Sequence, residues 1–85
     1  MPFEQVWENI MKHEGEEFQT KTGLPFSYAI EKNAVVPDRT GYRLSRVNFE
    51  KALSVIDQVD GPGAISDLVR GSAYVYAILK DARIK

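Results

Sequence analysis

Apolar and polar positions change period twice along this chain. In PFEQVWENIMKHEG, Phe3, Val6, Trp7 and Ile10 fall at i, i+3, i+4 and i+7, the single stripe of an amphipathic helix. Pro2 suits a first helical position, where its missing N–H would have no partner. Gly15 can take the left-handed conformation that ends a helix, and His13 in the last turn complements the helix dipole when protonated.

From Glu17 the period falls to two. EFQTKT sets Phe18, Thr20 and Thr22 against Glu17, Gln19 and Lys21, and FSYAIE puts Phe26, Tyr28 and Ile30 on one face. EKN is a turn, because Asn33 tolerates positive φ. AVVP is a third strand, with Pro37 confined to a strand end or an edge because it cannot donate to a ladder. YRLS is a candidate fourth strand, with Tyr42 and Leu44 facing inward.

The helical period then returns. Ser45 is an expected N-cap for RVNFEKALSVIDQV, whose stripe is Phe49, Ala52, Leu53 and Ile56. DGPG ends that helix. AISDLVR predicts a short helix showing Ile65, Leu68 and Val69. Gly71 closes it, and Ser72 is expected to cap a final helix with Val75, Ile78, Leu79 and Ala82 in its buried stripe. The expected fold is a single small α+β domain over residues 1–85. It has one N-terminal helix, three to four antiparallel strands, then three helices packed on the sheet.

Composition narrows the chemistry. The chain has 85 residues, 44% of them hydrophobic, and no cysteine, which excludes a disulfide scaffold, a thiolate zinc site and a cysteine nucleophile. No stretch approaches the ~18 apolar residues of a membrane span, and MPFEQVWE lacks the basic and apolar regions of a signal peptide. The expectation is a cytoplasmic protein without membrane contact.

The formal charge of −1 is unevenly spread. The acids Glu4, Glu8, Glu14, Glu16 and Glu17 crowd the front, against Lys12. The middle carries Lys21, Lys32, Arg39, Arg43, Arg46 and Lys51 against three acids, and the remainder balances. His13 is the single histidine and lies at a helix end among glutamates, where a solvated terminus outweighs a catalytic base. Glu16 and Glu17 point to opposite faces of a strand, so EGEE is no convergent metal site. DGPGA follows a helix, and Pro62 removes an N–H that a phosphate would want, so it reads as a rigid connector. No cofactor, metal or catalytic residue is expected.

What remains is a binding surface. On the final helix Tyr76, Lys80 and Arg83 fall at i, i+4 and i+7 on a face other than the apolar stripe. Cations there would neutralise phosphate, and the tyrosine would stack or hydrogen-bond. AISDLVRGSAYVYAILK loosely resembles helix-turn-helix modules, which implies a nucleic-acid-docking terminal helix. It departs from that pattern in having Asp67 where a small residue is common, and Arg70 and Ser72 around Gly71 where apolar residues are common. The competing reading makes the helix a structural keel, with Tyr74 and Tyr76 lying across neighbouring elements and Lys80 and Arg83 solvated. That reading weighs more. A second basic set, Lys21, Arg39 and Arg43, is expected on the solvent face of the sheet.

The functional expectation is a small non-enzymatic binding module, accessory to a nucleic-acid process. Its candidate contacts are Lys21, Arg39, Arg43, Tyr76, Lys80 and Arg83. The alternative is a protein-interaction module or a homodimer formed through an uncovered sheet edge or the tyrosine-bearing helix.

Overall fold

The computed structural model describes residues 2–85. Helix α1 spans Phe3–Lys12 and buries Val6, Trp7 and Ile10. Pro2 stands at its N-cap, and its carbonyl accepts from the N–H groups of Gln5 and Val6. Gly15, at φ 85°, turns the chain beyond the helix end and donates its N–H to Tyr28 O.

Two small antiparallel sheets follow. In the first, β1 (Phe18–Gln19) pairs with β2 (Pro25–Phe26), setting Phe18 opposite Phe26. In the second, β3 (Tyr28–Glu31), β4 (Ala34–Pro37) and β5 (Leu44–Ser45) lie in that order, with Tyr28 opposite Pro37 and Val35 opposite Leu44. The β3–β4 hairpin turns on Lys32 (φ 49°) and Asn33 (φ 63°). Two successive positive φ angles match the right-handed twist of the flanking strands.

FSYAIE is therefore not one strand. It changes partner at Ser27, where the Ser27 N–H donates to Asp38 Oδ1 and the Asp38 N–H donates to Ser27 O. Phe26 and Tyr28 keep the expected inward alternation on either side of that switch, and both are buried.

Helix α2 (Arg46–Leu53) is shorter than its pattern suggests, and a single 3-10 turn at Ile56–Gln58 follows. Ser54 Oγ donates back to Lys51 O at 2.6 Å, a hydroxyl competition that weakens helix continuation. The short helix expected over AISDLVR is absent: a 3-10 turn at Pro62–Ile65 leads into irregular turns. Seven residues behind a glycine–proline–glycine start cannot repay helix nucleation without a strong apolar face. Leu68, expected in the core, is 42% exposed, whereas Ile65 and Val69 are buried. Two α-helices, not three, thus follow the strands. The last, α3, spans Ser72–Lys80.

The remaining differences are local. Residues 40–43 are not a strand, and Tyr42 is 51% exposed while Leu44 is fully buried. Ser45 occupies the N-cap of α2 with extended backbone, but its hydroxyl makes no cap bond. Gly71, not Ser72, is the N-cap of α3, at φ 64° and ψ 40°. Ala82 lies past the end of α3 and is exposed; Ile84 fills the core instead.

A continuous core joins α1, α3, both sheets and the connecting turns. Trp7 packs on Phe49 with ring centroids 5.8 Å apart, Phe18 on Tyr28 at 5.3 Å, and Tyr74 edge-on to Phe26 at 5.0 Å. The buried Tyr28 hydroxyl donates to Ile10 O at 2.5 Å, fastening β3 to α1. Burial holds that phenol protonated well above its ordinary range. Among the described residues no helix is long and apolar enough to cross a membrane.

Candidate functional site

The six sequence candidates occupy four separate places. Lys21, Tyr76 and Lys80 come together. With Gln19, Ala77 and Asp81 they line a concavity of about 200 Å³ where α3 packs against the β1 segment. Lys21 lies just past β1 and donates through Nζ to Asp60 O. Lys80 ends α3, is exposed, and makes no ion pair among the described residues.

Tyr76 is only 9% exposed, which follows from its position in the middle of a helix buried on most sides. Its ring cannot serve as an open stacking platform. Among the described residues its hydroxyl has no protein partner, yet no buried side-chain oxygen or nitrogen lacks one. The phenol oxygen therefore reaches solvent at the rim. Tyr76 was expected on an outer face; most of its ring belongs to the core and only its edge belongs to the groove.

Arg83, expected to be solvated beside Lys80, faces elsewhere. Helix α3 ends at Lys80, and Asp81 takes extended backbone (φ −75°, ψ 137°), so helical spacing no longer applies two residues later. The Arg83 N–H and Nε both donate to Asp81 Oδ1 at 2.9 Å, and Nη2 donates to Asp81 Oδ2. The guanidinium also reaches Glu16 Oε1 at 3.1 Å and Glu17 O at 2.9 Å. Arg83's hydrogen bonds hold the Asp81 carboxyl below the usual carboxylate range. Asp81 therefore brings a charge to the groove rim that its own neighbour already balances.

The two remaining arginines do not form a common sheet face, because residues 39–43 are not a strand. Arg39 Nε donates to Pro25 O at 2.6 Å, beside Asp38 and Glu17. Arg43 pairs with Glu31 Oε1 at 2.7 Å across the second sheet, with both side chains half-exposed, an arrangement worth ~0–1 kcal/mol.

The outer edge of β3 is occupied. Glu14 Oε2 accepts from the Ile30 N–H at 2.7 Å, and the Gly15 N–H donates to Tyr28 O at 2.9 Å. The α1–β1 connection thus covers the backbone groups that a second strand would use. His13 Nδ1 lies 2.9 Å from Glu16 Oε2. That hydrogen bond, with Arg83 contributing less, holds the Glu16 carboxyl below its usual range.

No protein-family model, curated protein or solved structure matches this chain.

Proposed function

We propose that this chain is a small non-enzymatic binding module, accessory to a nucleic-acid process, that takes phosphate at the groove lined by Lys21, Tyr76 and Lys80. The observation that carries this reading is the convergence itself: two lysine side chains from segments almost sixty residues apart line one concavity together with Tyr76. Lysine binds phosphate as a mobile point charge, and a tyrosine hydroxyl supplies a further donor to a phosphate oxygen. The neighbouring carboxylate, Asp81, is neutralised by Arg83 and does not cancel the lysines.

The contact is small and local. A net charge of −1 provides no broad basic face, so binding depends on few phosphates and has a shallow salt slope. The nearly buried Tyr76 ring offers little stacking, which favours a backbone contact over base readout. Fluorescence anisotropy with a labelled mixed-sequence single-stranded oligonucleotide at low salt tests this directly. Saturable binding that weakens with added salt supports the reading, and no binding at low salt ends it.

A protein-interaction module is the second reading, favoured by a different observation. Tyr42 and Leu68 are exposed, and the Arg70 guanidinium lies 5.5 Å from the Tyr42 ring centroid. Tyrosine and arginine are enriched at interface centres. Light scattering across a concentration series, with and without Tyr42→Ala, distinguishes self-association through that surface from a monomer.

A further inference from the structure

A second concavity, larger than the lysine groove, lies away from it. It measures about 660 Å³, is open to solvent, and is lined by Gly15, Glu17, Asp38, Arg39 and the Pro25–Ser27 segment. That volume falls within the ~300–1,000 Å³ of small-molecule sites. Its residues come from three places in the sequence, brought together where the chain crosses from one sheet to the other.

The polar atoms here are incompletely used. Asp38 commits Oδ1 to the Ser27 N–H, leaving Oδ2 without a partner among the described residues. Arg39 commits Nε to Pro25 O, and both terminal nitrogens are without a partner among the described residues. Glu17 lends its backbone carbonyl to Arg83, while its carboxylate makes no hydrogen bond among the described residues. Asp38 and Arg39 are thus each held through one set of side-chain atoms while another set remains available, and Glu17 is anchored through its backbone. That is the arrangement of a preorganised polar site.

We infer that this concavity binds a free basic α-amino acid: the ligand carboxylate on Arg39, and its two ammonium groups on Glu17 and Asp38. The free guanidinium fork matches a planar carboxylate. Each ammonium brings three donors and no acceptor, and a carboxylate offers only acceptors. One guanidinium against two carboxylates leaves the lining net negative, which complements a ligand of net charge +1. Pro25, which is exposed, supplies apolar surface for its aliphatic stem. An acidic amino acid places a second carboxylate against Glu17 or Asp38, and a diamine leaves Arg39 without a partner.

The test is an NMR titration of the ¹⁵N-labelled full chain with L-lysine, L-glutamate and 1,5-diaminopentane. L-Lysine should shift the amides of Gly15, Ser27, Asp38 and Arg39 saturably, with the other two compounds about tenfold or more weaker. Glu17→Gln and Asp38→Asn should each weaken L-lysine without disturbing the rest of the spectrum, since Asp38→Asn retains the oxygen that Ser27 uses. The three-compound comparison on the unaltered protein needs no variant to fold. No saturable shift with L-lysine, equal response to all three compounds, or indifference to both substitutions overturns the proposal.

Discussion

Arg83 lies over the face of Phe18, its guanidinium carbon 3.9 Å from the ring centroid. The contact ties the segment after α3 to β1, and it is reinforced by Asp81, Glu16 and the Glu17 carbonyl. The cation–π contact and the charged hydrogen bonds act together at a partly shielded site. Arg83→Met keeps the apolar stem over the ring and removes the charge. It should destabilise the protein by about 1–3 kcal/mol near neutral pH, measured by urea unfolding.

The same contact predicts a pH dependence. Arg83's hydrogen bonds depress the folded-state pKa of Asp81, while the unfolded value is about 3.9. Its contribution is therefore fully present above the unfolded value and is lost as pH falls through the lower folded one. The wild type should lose stability as pH is lowered from about 4. Arg83→Met should lose less over the same interval, because its Asp81 pKa is no longer held down. Parallel acid-unfolding profiles for the two proteins would refute this coupling.

Gly71 should be far less replaceable than Gly15, although both have positive φ. At Gly15 an added Cβ meets nothing within 4 Å, so alanine incurs only the left-handed backbone penalty of about 1–2 kcal/mol. At Gly71 the same atom would stand 2.7 Å from Leu44 Cδ2, and Leu44 is fully buried. Gly71→Ala should lower stability more than Gly15→Ala. Leu44→Ala should reduce the excess in a double-mutant cycle; an excess that persists unchanged would place its origin elsewhere.

Leu79 is fully buried in the core that α3 shares with both sheets. Leu79→Ala should cost about 2–5 kcal/mol, a large part of a small domain's stability. An almost unchanged thermal midpoint would contradict the packing. Ser72→Ala, by contrast, should shift stability by less than about 0.5 kcal/mol, because Gly71 holds the N-cap position and no side-chain cap bond forms there.

The sequence carried the fold wherever the signal was local. The α1 stripe, the positive-φ turn at Asn33 and the placement of Pro37 at a strand end each depend on a few adjacent residues. What it could not carry were decisions made by partners distant in the chain. Ser27 switches sheets because Asp38 satisfies its backbone, and nothing in FSYAIE announces that. Tyr42 alternates correctly with Leu44, yet no strand forms at residues 40–43, so alternation there has no sheet to act on. Arg83 was grouped with Tyr76 and Lys80 by helical spacing, but α3 stops at Lys80 and Asp81 turns the chain away. The meeting of Lys21 with Tyr76 and Lys80 needed the packing of α3 against β1, although all three had been singled out by residue type and predicted exposure.

The central claim is that Lys21 and Lys80 contact phosphate, and the salt dependence of oligonucleotide affinity tests it most directly. Each phosphate contact on a single strand contributes a slope of about −0.7 in log affinity against log salt. Lys21→Ala combined with Lys80→Ala should weaken binding at low salt and make the slope shallower by about 1.4. Arg43→Ala, at a side chain that pairs with Glu31 away from the groove, should leave both nearly unchanged. Affinity and slope identical in the double variant and the wild type would contradict the claim.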